Sequence, residues 1–293
     1  MSKIKHHYIP QFYLKLFTND NGNYHVFDKK YNEFRKEPQS PNTSFFEYNR
    51  NMIKINNLNT DVLEKTYSDF ENNFAKFIKY ITSTHYEIEI LNNRDLIYTL
   101  KGYIAMQFCR LPFHDSYMDK FILNINKKSC RNMLVDNNGN NYLDDNIYGN
   151  LIKKDKYFRY YFRCFILPFL MFNILSHDDN METWRIYNTE KDNHFSFICA
   201  DFPIIFNNIN DFIMFKGKIF FPLTKNKILL ISANGFPDNF PDSYWAYINM
   251  VLYEQSNRYL TVLDKNYLFE LQNIYQDINK KGMSNLFRDY LFK

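Results

Sequence analysis

The amino-acid sequence predicts an α+β fold that is predominantly helical, with an N-terminal β-hairpin and a mostly antiparallel sheet around residues 184–232. Two observations predict it. Apolar side chains recur at helical spacing over residues 60–110 and again after residue 243, whereas short β-branched and aromatic runs separated by turn residues occupy residues 184–232. Because these patterns are grouped along the chain and do not alternate, they favour α+β over α/β. The length of 293 residues fits a single domain over residues 1–293.

The composition is that of a globular protein with a large aromatic core. Hydrophobic residues make up 45% of the chain and aromatic residues 19%, so disorder is not the default interpretation. The net charge of +4 is smaller than the excess typical of dedicated nucleic-acid-binding proteins. The cysteines lie far apart without a C-x-x-C pair, which predicts buried thiols and no disulfide framework; they are Cys109, Cys130, Cys164 and Cys199.

No segment has the length and composition of a membrane span or a signal peptide. The most apolar stretch, residues 164–175, is about half the roughly 20 residues that a spanning helix needs, and Pro168 and Asn173 interrupt it. The opening MSKIKHHY has no apolar region. We therefore expect a cytoplasmic protein with no membrane partner.

The first predicted element after the N-terminus is a β-hairpin. A turn is predicted at Asn21-Gly22 between runs with aromatic alternation, and we interpret residues 23–28 and 31–37 as the two strands. Residues 38–51, which contain two prolines, are predicted to form a loop.

Two helices follow. Apolar residues at helical spacing predict a helix over residues 60–81, which Thr60 or Asp61 can cap. A second helix is predicted over residues 93–110, and Pro112 ends it.

The second half of the chain changes character twice. Residues 115–150 are polar and are predicted to form a surface excursion, followed by one long helix over residues 151–176. Short apolar runs then predict the antiparallel sheet of residues 184–232. Helical spacing returns over residues 243–260 and 267–281.

The stretch HHYIPQFYLK carries the first candidate site residues, His6 and His7. A neutral imidazole is a metal ligand and a proton shuttle near neutral pH. The alternatives are a solvated pair or a buried histidine bonded to a backbone carbonyl.

Candidate polar residues also occur on the two predicted helices. Glu64 and Glu71 are seven residues apart, so they lie on one helix face beside partly apolar neighbours. A carboxylate in such a place must be ion-paired, hydrogen-bonded or metal-bound. Gln107 and Arg110 lie at i and i+3 near the end of the next helix, where Arg110 could pair with either carboxylate or bind an anionic ligand.

Two further candidates come from the predicted sheet. Asp201 ends the apolar strand FSFICA and precedes a Phe-Pro turn, a position that the sheet fixes and the loop leaves accessible. The alternative is an aspartate that binds nearby backbone amides. Lys225, in the loop after FFPL, could supply positive charge.

Together these positions resemble an uncharacterised, mostly bacterial family known as domain of unknown function 4238. The resemblance rests on the N-terminal pattern H-H-Y-x-P-x-F-Y-L and on the order of later features, over nearly the whole chain. The matching positions are His6, His7, Pro10, Tyr13, Leu14, Leu63, Glu64, Glu71, Gln107, Arg110, Asp201, Pro203, Pro222, Leu223, Asn249 and Arg258. Ala200 stands where the family usually has Ser or Thr before the Asp. The resemblance implies an architecture and no activity.

One hypothesis is a metal-dependent hydrolase that acts on phosphodiesters in a nucleic acid or nucleotide. Carboxylate oxygens with one imidazole suit Mg²⁺ or Mn²⁺, and the ligands would be His7, Glu64, Glu71 and Asp201. Metal-activated water would attack the phosphorus, and Arg110 or Lys225 would stabilise the developing negative charge. The predicted catalytic residues are His6, His7, Gln107, Arg110 and Lys225. Such a nuclease-like effector would suit bacterial anti-phage defence.

The alternative hypothesis is a non-catalytic binding or interaction module. In that case the same side chains form a buried structural network in which Arg110 pairs with Glu64 or Glu71 and His7 ties the N-terminus to the helices. The aromatic surplus would then line a pocket for a small ligand or a partner.

Overall fold

Helices and small antiparallel sheets make up the fold, which confirms the α+β prediction. The structure is a computed structural model that describes residues 3–55, 58–83, 93–124, 149, 152–174, 184–189, 195–237, 240–283 and 285–293. The N-terminal part contains β1 (Lys5–His7), α1 (Gln11–Leu14), β2 (His25–Asp28), β3 (Glu33–Phe34), β4 (Phe46–Tyr48), β5 (Ile53–Ile55) and β6 (Leu58–Thr60).

The middle of the chain is helical. It contains α2 (Val62–Ser83), α3 (Arg94–Arg110), α4 (Asp115–Asn124), α5 (Lys156–Phe165) and α6 (Leu167–Met171). The C-terminal part contains β7 (Trp184–Asn188), β8 (Cys199–Ala200), β9 (Ile205–Phe206), α7 (Ile209–Met214), β10 (Ile219–Pro222), β11 (Lys227–Ile231), α8 (Asp242–Gln255), β12 (Tyr259–Val262), α9 (Lys265–Lys280) and α10 (Leu286–Phe292).

Two four-stranded antiparallel sheets dominate the strand content. One has the order β7-β11-β10-β9 and forms most of the sheet predicted for residues 184–232. The other has the order β3-β2-β12-β8, so the late strand β12 pairs with the N-terminal hairpin. The short pairs β1-β4 and β5-β6 complete the described strands.

The predicted hairpin and the two predicted helices are confirmed. In the hairpin, Phe27 on β2 lies opposite Phe34 on β3. The turn that joins the two strands lies at residues 29–32, so the predicted turn at Asn21-Gly22 precedes the hairpin. The side chain of Asn93 caps α3 by accepting hydrogen bonds from the amides of Asp95 and Leu96. Helix α3 ends at Arg110, two residues before Pro112.

Three predicted elements are wrong in part. The predicted loop over residues 38–51 contains β4, which pairs with β1. The predicted long helix is broken at Ile166 between α5 and α6, because Pro168 cannot continue the hydrogen-bond ladder of the preceding turn. The predicted helix over residues 243–260 ends at Gln255, and its last residues belong to β12.

Part of the predicted sheet is also helical. The run FIMFK falls mainly on α7, because the side chain of Asn208 caps that helix by accepting from the amides of Asn210 and Asp211. The polar residues 115–150 begin with α4, and most of the remainder lies outside the described residues, as does Cys130. Cys109, Cys164 and Cys199 are buried free thiols, as predicted.

The N-terminal segment is packed into the core of the protein. The buried hydrophobic residues form one cluster that extends from Tyr8 to Leu291. Within it, the ring of Tyr13 stacks on Phe221 at 5.5 Å, and its hydroxyl donates to the carbonyl of Pro222 at 2.6 Å. These contacts hold the histidines of β1 beside α2 and α3. Among the described helices, none combines the length and the apolar character needed to cross a membrane.

Candidate functional site

His6 is fully buried on β1, opposite Glu47 of β4. Its Nδ1 accepts the backbone N–H of Asn51 at 2.7 Å. Because a backbone amide only donates, this bond requires a neutral imidazole with its proton on Nε2. Burial lowers the pKa of His6, although the nearby Glu64 opposes the shift. His6 is therefore a neutral, structurally bonded side chain.

His7 lies opposite Phe46 on the same pair of strands, and its ring meets the Phe46 ring edge-on at 5.6 Å. Its Nδ1 lies 3.3 Å from the side-chain amide nitrogen of Gln11. Burial lowers the pKa of His7 as well, with Glu64 acting in the opposite direction. The backbone carbonyl of His7 accepts a hydrogen bond from Nη2 of Arg110.

Arg110 and Glu71 form an ion pair in which Arg110 is buried and Glu71 is partly exposed. Nη1 of Arg110 donates to Oε1 of Glu71 at 2.5 Å, and the guanidinium lies 4.3 Å above the ring of Tyr67. Burial disfavours the charged guanidinium, but Glu71, Tyr67 and Glu64 together outweigh it, so the pKa of Arg110 is raised. Arg110 thus stays charged and joins α3 to α2 and, through His7, to β1.

Glu64 and Gln107 are bound to other partners in the same region. Oε2 of Glu64 accepts from the side-chain amide of Asn51 at 2.6 Å, while Oδ1 of Asn51 accepts from the hydroxyl of Tyr160 at 2.9 Å. The side-chain amide of Gln107 donates to the carbonyl of Tyr8 at 3.0 Å. The structure therefore gathers six of the predicted site residues around the N-terminal segment, and we call them the His6–Arg110 network. They are His6, His7, Glu64, Glu71, Gln107 and Arg110.

Asp201 binds backbone amides on a different loop. Its Oδ1 accepts from the N–H of Asn257 at 2.8 Å, and its Oδ2 accepts from those of Arg258 and Tyr259 at 2.7 and 2.9 Å. Burial raises the pKa of Asp201, and these amides oppose that shift. Nζ of Lys29 donates to carbonyls of the same loop, including that of Ser256 at 2.8 Å. The loop before β12 is thus held by an anion on its amides and a cation on its carbonyls.

Lys225 lies on the turn between β10 and β11. Its Nζ donates to the carbonyl of Thr18 at 3.3 Å, and its own amide and carbonyl bond to Leu16 and Phe197. These contacts fix the end of the N-terminal helical segment. They involve a different set of residues from the His6–Arg110 network.

Three of the four residues predicted to bind a metal have their carboxylates engaged by other partners, whereas the buried Nε2 of the fourth, His7, makes no hydrogen bond among the described residues. Glu71 is paired with Arg110, Glu64 bonds Asn51, and both oxygens of Asp201 accept backbone amides. Within the described ranges, no group of three or more His, Cys, Asp or Glu side chains is placed to hold a metal ion. Mg²⁺ or Mn²⁺ binding stays a prediction.

A pocket of about 230 Å³ lies directly beside the network. Its walls come from the residue after β1, from β4, the turn after α3, the residue after β8, and the loop before β12 with the first residue of that strand. They are Tyr8, Phe46, Glu47, Pro112, Phe113, Asp201, Asn257, Arg258 and Tyr259. Tyr8 joins the two regions, because its carbonyl accepts from Gln107 and its side chain lines the pocket. Phe46 does the same through its contact with His7.

Several polar groups that line the pocket are free within the part of the chain that the structure describes. The hydroxyls of Tyr8 and Tyr259 and the side-chain amide of Asn257 make no hydrogen bond there. Arg258 uses Nε and Nη2 on Asp28, the latter at 2.9 Å, so its Nη1 is free. Glu47 bonds Arg50 through one oxygen only. Donors and acceptors are therefore available on several walls.

The sequence interpretation did not identify most of the pocket. Phe46 and Glu47 lie in the stretch SFFEYN, which was predicted to be a loop. Phe113 directly follows the proline that ends α3. The density of aromatic and acidic residues in SFFEYN was the available signal, since solvated loops rarely contain such runs.

Comparison with known proteins gives one match. A family model described as "Protein of unknown function (DUF4238)" matches residues 5–266. No functionally curated protein matches the chain, and no solved structure matches it.

Proposed function

Because the chain belongs to the family of proteins of unknown function called DUF4238, we propose its function from geometry alone: a non-catalytic binding module whose pocket takes the base of a mononucleotide. The membership itself supplies no activity to carry over.

The observation that carries the proposal is that Glu71 and Asp201 already have partners, while the neighbouring pocket has polar groups that are free among the described residues. A metal-dependent hydrolase needs carboxylate oxygens that can reach a common ion beside the substrate. Here Glu71 is paired with a buried arginine and Asp201 is bound by backbone amides. Buried ion pairs of this kind can fix geometry without catalysing a reaction. They support the alternative in which the network positions the pocket walls.

The chemistry of the pocket favours a flat ring with polar edges. Four of its lining side chains are aromatic: Tyr8, Phe46, Phe113 and Tyr259. Aromatic side chains stack on nucleobases with about 1–3 kcal/mol per base. The free hydroxyls and the Asn257 amide can meet the polar edge of a base, and Nη1 of Arg258 can meet a phosphate.

The size of the pocket limits the ligand. Pockets for drug-sized ligands have about 300–1,000 Å³, and this one has about 230 Å³. One base fits this volume, with its ribose and phosphate directed to the open side. A dinucleotide cofactor is too large for it.

The test is a calorimetric titration with the four ribonucleoside monophosphates, repeated with Phe113→Ala. Phe113 is 56% exposed, so its truncation removes a stacking surface without opening the core. We expect binding by the wild type and a loss of about tenfold or more in affinity for the variant, from the stacking energy above. Phe169→Ala is the control, because Phe169 is also exposed but does not line the pocket. No binding of any nucleotide by the wild type would contradict the proposal.

The hydrolase hypothesis is tested with an activity assay on the same purified protein. Wild type, His7→Ala and Glu71→Ala are incubated with DNA, RNA and mononucleotides in the presence of Mn²⁺, and products are separated. We expect no turnover by any of them. Turnover by the wild type that both folded variants lose would replace the binding proposal with a metal-dependent hydrolase.

A further inference from the structure

Glu47 is the pocket residue that most narrowly limits which hydrogen-bonding groups a ligand can present. It lies on β4 opposite His6 and lines the pocket, with a side chain that is 47% exposed. Its Oε2 accepts from Nη1 of Arg50 at 2.8 Å. Its other oxygen has no hydrogen-bond partner among the described residues. An ionised carboxylate only accepts hydrogen bonds, so a ligand that contacts this wall of the pocket needs hydrogen-bond donors there.

Arg50 holds Glu47 in a defined position. The Arg50 side chain is only 7% exposed. Its guanidinium also donates to Asp115 at 2.8 and 3.2 Å and to the carbonyl of Arg110 at 3.1 Å. A guanidinium fixed by this many acceptors holds its remaining partner with little freedom. Glu47 is therefore pre-oriented, which reduces the entropy lost when a ligand binds.

A carboxylate can accept two parallel N–H bonds, one on each oxygen, because each oxygen has two lone pairs. An oxygen that already accepts from Arg50 keeps one lone pair for a second donor. The ligand edge that complements Glu47 therefore carries two adjacent N–H donors. A base with a lone pair at either of these two positions would be repelled there by the lone pairs of the carboxylate.

Guanine is the common base with such an edge, since its N1–H and its 2-amino group are neighbours. Adenine and cytosine each place an amino group beside a ring nitrogen lone pair, and uracil flanks its N–H with two carbonyl oxygens. Resting on the proposed nucleotide function, we infer that Glu47 is the specificity-determining residue and selects a guanine mononucleotide.

The test compares GMP, IMP and AMP by calorimetry. IMP keeps N1–H but lacks the 2-amino group, and AMP has a lone pair at N1. The wild type should bind GMP about tenfold or more tightly than AMP, with IMP between them, because a bidentate pair discriminates on that scale. In Glu47→Gln the amide supplies one acceptor and one donor, so GMP should fall to the affinity of AMP. Glu270→Gln is the control, since Glu270 is exposed on α9 and does not line the pocket.

The outcomes separate this inference from the function on which it rests. Equal affinities of the wild type for the three nucleotides would overturn the guanine selection and leave nucleotide binding intact. A GMP preference that survives in Glu47→Gln would overturn the role of Glu47. If no nucleotide binds the wild type, the proposed function fails and the inference fails with it. The wild-type series decides the guanine selection even if the variant does not fold.

Discussion

Arg110 ties three segments of the protein together at one residue. It bonds Glu71 on α2 and the carbonyl of His7 on β1, and it is itself the last residue of α3. The sequence allowed Arg110 to pair with Glu64 or Glu71, and the structure selects Glu71. It also shows that the tie to β1 runs through the His7 backbone and not through its imidazole ring. Helical spacing could place both carboxylates on one face but could not choose between them.

Replacing Glu71 by Ala should destabilise the protein strongly, because the buried Arg110 guanidinium loses its carboxylate. Removing one partner of a fully buried pair costs about 3–5 kcal/mol. The Glu71 side chain is 26% exposed, so water recovers part of this. We expect a loss of about 2–3 kcal/mol in the free energy of unfolding, measured by urea denaturation.

Two further variants make this result specific. Asp69→Ala, at an exposed position on the same helix, should change stability by about 0.5 kcal/mol or less. The double variant Glu71→Ala with Arg110→Met should be more stable than Glu71→Ala alone, since the uncompensated charge is gone. If Glu71→Ala costs no more than Asp69→Ala, the ion pair does not hold the network together.

At the scale of elements, side chains from distant segments donate hydrogen bonds to the carbonyls at the C-terminal end of α3. Nε of Arg163 on α5 donates to the carbonyl of Cys109 at 2.6 Å, and its Nη2 donates to that of Leu111 at 3.0 Å. Nη2 of Arg50 donates to the carbonyl of Arg110. Cations at this end also interact favourably with the helix dipole. The end of α3, where the network and the pocket meet, is therefore rigid.

Arg163→Met should destabilise the protein by about 1–3 kcal/mol, because the buried Cys109 carbonyl loses its side-chain donor. The Leu111 carbonyl and the Asp115 carboxylate each lose one donor and keep those from the His114 amide and from Arg50. Lys156→Met, an exposed cation on the same helix, is the matched control and should be near neutral. Thermal unfolding of both variants measures the difference. Equal melting temperatures would show that Arg163 does not brace α3.

Elements with strong local periodicity could be predicted from the sequence. Elements whose position depends on contacts with residues far away in the chain could not. Helices α2 and α3 have long apolar stripes and clear end signals, and both lie within two residues of the predicted bounds. Strand β4 depends on β1, which is about 40 residues away in the chain, so the local pattern could not reveal it. Helix α8 ends where Lys29 donates to the carbonyls of Tyr253, Glu254 and Ser256, a tertiary contact that spacing does not encode.

The same limit applies to the candidate site. The network could be predicted in large part, because Glu64, Glu71, Gln107 and Arg110 lie on two periodic helices. The pocket could not, because Tyr8, Glu47, Phe113 and Tyr259 come from four segments that only tertiary contacts bring together, among them the pairing of β1 with β4. Asp201 directly follows β8, at the strand end that the sequence predicts, and lines the pocket. Its carboxylate is bound by backbone amides, which was the alternative interpretation of that position.

For the whole molecule, the protonation of buried histidines makes stability depend on pH. The ring of His114 packs against that of Phe108 in a tilted arrangement, with the ring centroids 4.0 Å apart, and its Nδ1 lies 2.8 Å from the Phe108 carbonyl oxygen. Burial lowers the pKa of His114 from 6.5 to about 4, with Arg163 acting in the same direction. The unfolded chain thus binds the proton at a higher pH than the folded protein. The stabilisation is present above pH 6.5 and is lost as the pH falls towards 4.

We expect the free energy of unfolding to fall by about 2 kcal/mol between pH 6.5 and pH 5 through His114 alone. His114→Gln keeps a donor for the Phe108 carbonyl and removes the titration, so the variant should show a shallower decline. Urea denaturation of both proteins at pH 7, 6 and 5 measures the two slopes. Identical slopes would show that His114 is not the group responsible. His6 and His7, whose pKa values are also lowered by burial, contribute in the same direction.

The central claim is that the pocket beside Tyr8 binds the ligand and that the His6–Arg110 network only supports it. A crystal structure with GMP and Mn²⁺ tests this most directly. The account predicts a base in contact with Phe113 and Tyr259, its N–H edge at Glu47, and the Arg110–Glu71 pair intact. A nucleotide or Mn²⁺ bound to His7 and Glu71, with Arg110 displaced, would contradict it.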